Sequence, residues 1–148
     1  MVRVKRYRAG SLRLMRTMLF GSLPSWTAYL DLAMPVKPAD WDAELSRIRA
    51  TMSEPGRMKA LQAMTKSSPA DAGAQLGAVA CPVLVIEGSL DPDWADPRAE
   101  GEAIIADLPE GLGELAVLDG VGHYPHTQAP DEVLALALPF LARTLPRA

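Results

Sequence analysis

The chain has 148 residues, a net charge of −3 and an apolar fraction of 49%. That length and apolar content suit one domain with a sizeable core and argue against a disordered chain. An isoelectric point near 5.3 excludes a nucleic-acid-binding surface spread over the whole molecule.

The charge is unevenly distributed. Arg3, Lys5, Arg6, Arg8, Arg13 and Arg16 all precede the first acidic residue, Asp31. We read this basic end as a solvated helix face, with nucleic-acid or membrane contact as the alternatives. Arg13 and Arg16 interrupt the apolar run that an export signal keeps continuous, so the segment reads as mature protein. Residues 11–20 place Leu12, Met15, Met18 and Leu19 at helical spacing, and "LPSWTAYLDLAM" supplies a second short helix with Trp26, Tyr29 and Leu30 on one stripe. After "VKPAD", Trp41, Leu45, Ile48 and Met52 fall on one face of a third helix. "SEPGRMKALQAMTK" restarts a helix, with Ser53 as its expected cap and Met58, Leu61 and Met64 facing inward. The methionines between residues 15 and 64 suit ordinary core filling or a lid over an apolar pocket.

A seam follows at "KSSPADAGAQLGAVACP". Beyond it, "CPVLVIEG" reads as a strand buried on both faces, with Cys81 as packing material at its start. One cysteine forms no internal disulfide, which suits a reducing cytoplasm. "DPRAEGEAIIADLPEG" is a helix capped by Asp96, with Pro97 at its first position and Gly111 just past its end. "LGELAVLDGVGH" gives a second strand through about Leu118, and "PDEVLALALPFLARTL" the closing helix, which Pro139 should kink or break. The longest apolar run, residues 133–142, is too short to cross a bilayer. Strand, helix, strand, helix implies parallel pairing through a crossover.

Two loops leave the carboxyl ends of those strands, where open α/β sheets bind ligands. "EGSLDPDWADP" puts Asp91 just past the first strand, and "DGVGHYPHTQAP" puts His123 just past the second. A carboxylate that accepts a proton from one imidazole nitrogen fixes the ring's tautomer and stabilises the imidazolium formed when the other nitrogen takes a proton. Asp91 and His123 are the candidate site. Asp93 and Asp96 compete as acids, although Asp96 is better used as a helix cap. His126 follows His123 by three residues, but no third ligand at a supporting spacing makes a metal site, and no cofactor is implied.

These stretches carry a resemblance. "PVLVIEGSLDPDWADP" looks like the acid loop of the α/β-hydrolase family, and "LDGVGHYPHTQAPDEVLALALPFL" like its histidine loop and final helix. The resemblance implies a partial α/β-hydrolase fold: a helical cap or lid over residues 1–78, then a βαβα unit with two parallel strands over 79–148. It also implies a hydrolase of small apolar ester or acyl-type substrates, with His123 as general base and acid and Asp91 orienting it.

The family's nucleophile sits on a strand-to-helix turn written G-x-S-x-G. That motif is absent: "RAGSLRL", "FGSLPS" and "EGSLD" lack the second glycine. The chain therefore reads as a carboxyl-terminal half that brings acid and histidine without nucleophile, and whether that nucleophile is Ser or Asp stays open. Two parallel strands have open edges, so we expect self-association or a complementary amino-terminal half as partner. The alternative reading is a catalytically inactive, truncated relative acting as a binding or assembly module.

Overall fold

In a computed structural model of the chain, residues 2–64 and 66–145 are described. The first helix, α1 (Val2–Phe20), begins well before the expected start at residue 11 and takes in the basic segment. It ends where Gly21 turns to a φ of 62° and its N–H returns to the Thr17 carbonyl, a left-handed stop that suits glycine. The basic face is only partly solvated as expected. Arg3, Lys5, Arg8 and Arg16 are exposed, whereas Arg6 and Arg13 turn toward the protein and are half-buried.

Helix α2 (Leu23–Ala33) starts at Ser22, whose hydroxyl accepts from the Ser25 N–H. Helix α3 (Trp41–Met52) follows. Their apolar stripes meet as the periodicity requires: Tyr29, Leu30, Ala33, Met34, Trp41 and Leu45 form the buried core, with Leu14, Ile48 and Tyr124 packed against it. Ser53 differs from its expected role. It closes α3, with both its N–H and hydroxyl donating to the Arg49 carbonyl, and Gly56 at φ 88° makes the turn into α4 (Arg57–Met64). Met58 and Leu61 are half-buried on α4, but Met64 is 68% exposed. The seam carries the short helix α5 (Ala70–Gly73) and a 3-10 turn at Leu76–Ala78.

Strands β1 (Val83–Gly88) and β2 (Gly113–Leu118) pair in parallel from Val83 opposite Gly113 to Gly88 opposite Leu118, joined through α6 (Pro97–Asp107). Asp96 caps α6 by accepting from the Ala99 N–H, as expected. Gly101 lets α6 lie close on the sheet, since a Cβ there would stand 2.5 Å from Leu115 Cδ1. Leu108, not Gly111, ends the helix; Gly111, at φ 80°, turns the chain into β2. β1 is half-buried along most of its length rather than buried on both faces, because among the described residues each strand has only the other as neighbour. Cys81 lies outside the strand and is exposed, so it is not packing material.

After β2 come a single turn, α7 (Pro125–Gln128), and the closing helix α8 (Pro130–Thr144), which runs continuously through Pro139. Phe140 is buried, while Leu134, Leu138, Leu141 and Leu145 are exposed. No helix among the described residues is long and apolar enough to cross a membrane.

Gln128 joins the two parts of the chain. Its buried amide oxygen accepts from the Gly122 N–H at 3.1 Å and the Val36 N–H at 3.3 Å, and its amide nitrogen donates to the Ala33 carbonyl at 3.2 Å. The backbones approach closely here: a Cβ on Gly122 would stand 2.2 Å from the Ala33 oxygen. Gln128→Leu keeps the volume but strips the partners from these groups, and a buried polar group left dry costs roughly 1–3 kcal/mol. We expect the urea midpoint to fall correspondingly, and a midpoint equal to wild type would show that the amide is not the tie.

Candidate functional site

The site is assembled by an extension of strand pairing. Beyond the last paired residues, the Ser89 N–H donates to the Leu118 carbonyl at 2.9 Å and the Leu90 N–H to the Val121 carbonyl at 2.8 Å, so the two loops stay stitched after the strands end. Gly88 is required at this crossing because a Cβ would lie 2.1 Å from the Gly122 oxygen. Ser89 adds a side-chain link, donating to Asp119 Oδ1 and accepting from the Gly120 N–H, both at 2.9 Å.

This stitching brings Asp91 and His123 together. Asp91 is only 5% exposed; its Oδ1 accepts from the Asp93 N–H at 2.8 Å and its Oδ2 lies 2.8 Å from His123 Nδ1. An ionised carboxylate can only accept, so the bond puts the ring's proton on Nδ1 and leaves the Nε2 lone pair free. His123 is held from behind by its own N–H, which donates to the Ala33 carbonyl at 3.0 Å. Its ring meets Tyr124 edge-on, with centroids 4.8 Å apart.

The other candidates separate cleanly. Asp93 joins the site from the side: its Oδ1 accepts from the Tyr29 hydroxyl at 2.6 Å and its Oδ2 is 3.6 Å from His123 Nδ1. Asp96 is the exposed cap of α6. His126 is exposed on α7 and stands apart from the dyad, against Tyr124. Asp91, Asp93 and His123 each bring one potential ligand atom within 4.8 Å of the others. Nδ1 and Oδ2, however, are already bound to each other, so the set is a hydrogen-bonded dyad with a flanking acid.

Charge follows geometry. The Asp91 hydrogen bond raises the His123 pKa above its ordinary value of 6.5, burial opposes it, and the negative charges of Asp91, Asp93 and Glu87 reinforce it. Burial, then the charges of Asp91 and Glu100, pushes Glu87 upward. Burial and the bond to Asp93 push the Tyr29 phenol far upward, so it remains a neutral donor.

A cleft of ≈ 270 Å³ opens beside His123 and Asp93, with Leu14, Met18, Trp26, Leu61 and Tyr124 among its walls. Trp26 and Tyr29 stack there with centroids 5.5 Å apart. A larger groove of ≈ 660 Å³ lies between α2 and α3, lined by Thr27, Asp31 and Arg49 among others, and contains neither member of the dyad. The smaller cleft is the one with chemistry on its wall. The serines of the three Gly–Ser pairs do not meet His123: Ser11 is exposed on α1, Ser22 caps α2, and Ser89 is engaged with Asp119.

Sequence reasoning missed Gln128, the Tyr29 hydroxyl and Arg6. Each was visible only as a residue type, in a loop, on an apolar stripe and in a basic run, with no spacing that pointed to a partner.

No protein-family model matches the sequence, and no curated protein does. Solved structures do. The chain is similar to a candidate lipase from Acinetobacter baumannii, with a TM-score of 0.62 at 17% identity over 87% of this chain and 44% of that one. It is also similar to Est816, an N-acyl homoserine lactone degrading enzyme, with a TM-score of 0.56 at 20% identity over 89% of this chain and 53% of that one. The chain thus spans about half the length of the solved structures it matches. At these identities the likeness speaks for the fold alone, a partial α/β architecture in which helices precede a βαβα unit on two parallel strands.

Proposed function

We propose that this chain contributes the acid and histidine of a serine-type α/β-hydrolase site acting on small apolar ester or acyl-type substrates. The observation that carries the reading is the 2.8 Å bond between buried Asp91 and His123 Nδ1, with the ring on the wall of an apolar cleft. Nε2 is the nitrogen available to take a proton from an attacking hydroxyl. Asp91 holds the ring and favours the imidazolium, which then returns the proton to the leaving group. In this reading residues 1–78 act as the cap, with Leu14, Met18, Trp26 and Leu61 selecting apolar groups, and residues 79–148 carry the core. The solved neighbours, a candidate lipase and a lactone-degrading enzyme, support a hydrolytic role. The single cysteine suits a cytoplasmic setting.

No G-x-S-x-G occurs in these 148 residues, so the nucleophile comes from elsewhere, in a complementary amino-terminal half. A second reading, an inactive assembly module, draws on the exposed leucines 134, 138, 141 and 145 and the unpaired strand edges. The first reading predicts p-nitrophenyl ester turnover when the chain is combined with a hydrolase amino-terminal half. His123→Ala should then lower kcat by about a thousandfold or more. A well-folded complex without turnover would leave only the second reading.

The pH dependence has a definite sign. Turnover needs neutral His123, so the acid limb of the kcat/KM profile should lie above pH 6.5, and Asp91→Asn should move it to lower pH. The linked stability runs oppositely. A raised folded-state pKa stabilises fully below the unfolded value of 6.5, and that contribution is lost as pH rises through the folded value. Alone in solution, the chain should self-associate through its open edges and leucine row; a dilute monomer melting sharply in sedimentation and calorimetry would overturn that expectation.

A further inference from the structure

Helix α1 carries six cations and no acid, yet Arg6 is not given to solvent. Its Nε donates to the Leu90 carbonyl at 3.1 Å, and its Nη2 donates to the Leu32 carbonyl. Each acceptor stands one residue before a part of the site. Leu90 precedes Asp91, and Leu32 precedes Ala33, whose carbonyl receives the His123 N–H. One turn further, Gly10 is pressed on Pro92: a Cβ there would be 2.9 Å from both Pro92 Cβ and its carbonyl oxygen. Helix α1 therefore bears on the acid loop at two successive turns.

This placement is costly for a guanidinium. Burial and the neighbouring Arg13 disfavour its charge, while the negative charge of Asp91 favours it. No carboxylate forms an ion pair with Arg6 among the described residues. Both of its bonds go to backbone, where a rigid planar fork fixes the separation of two acceptors.

We infer that Arg6 is a positioning residue whose guanidinium clamps the acid loop to the end of α2 and so keeps Asp91 and His123 in hydrogen-bond register. The inference rests on the acid–histidine reading above, and its test does not depend on turnover. The groups facing His123 are Asp91 and Asp93 from the acid loop, Glu87 from β1, and neutral Tyr29 and Tyr124; from α1, Arg6 bears on Asp91, with Arg13 beside it.

Two roles for Arg6 predict opposite signs. A cation that merely stood nearby would disfavour the imidazolium, so removing it would raise the His123 midpoint. A clamp maintains the bond that favours the imidazolium, so removing it lowers the midpoint toward 6.5. The two histidines of the full chain can be titrated separately by C2 hydrogen–deuterium exchange read by mass spectrometry, with exposed His126 as internal reference. Arg6→Met should lower the His123 midpoint by about half a pH unit or more, with His126 unmoved. Arg6→Lys keeps the charge but not the fork and should fall between Arg6→Met and wild type. If Arg6→Met does not fold, Arg6→Lys decides: a lowered midpoint supports the clamp and an unchanged one overturns it. A rise or no change in folded Arg6→Met also overturns it while leaving the dyad standing. A wild-type His123 midpoint at or below 6.5 overturns both.

Discussion

A carboxylate as enclosed as Asp91 is stable as an anion only if hydrogen bonds replace the water it has lost. Its two oxygens receive the Asp93 amide and the His123 ring, and the surrounding architecture keeps those two donors in place. Parallel strands supply the starting geometry by ending side by side. The amide ladder that continues past them, through Ser89 and Leu90, prevents the loops from splaying. The Asp91–His123 contact thus depends on backbone hydrogen bonds in which neither side chain takes part.

The helical half completes this arrangement. The last turn of any helix exposes carbonyls without partners. In α2 the Ala33 carbonyl is used twice, by the His123 N–H and by Gln128, so the end of a helix becomes the back wall of the histidine loop. The same helix sends the Tyr29 hydroxyl to Asp93, binding the flanking acid. One element therefore packs the core, anchors the histidine and restrains the second carboxylate.

Much of this was legible from residue order. A β-branched run closed by glycine, an Asp three residues on, a second strand and a glycine-flanked His specify two strand ends and their cargo, because period and turn chemistry are local properties. Helices α2, α3, α6 and α8 were readable for the same reason, through caps and 3.6-residue spacing. What was not readable depended on distant partners. Arg6 looked like any cation of a basic helix, Gln128 like a polar loop residue, and Tyr29 like one more apolar contact. Ser53 was misassigned because a serine between two helices suits either end. The burial of β1 was overestimated because an apolar run records what a strand can cover, not how many neighbours it has.

Gly88 and Gly122 meet backbone to backbone with no space for even a methyl group. The acid and histidine loops are consequently in direct backbone contact, and neither can take a side chain where they cross. The apolar wall of the cleft comes instead from the helices, through Leu14, Met18, Trp26 and Leu61. The crossing thus sets the geometry of the Asp91–His123 pair, and the helices set the shape of the space beside it.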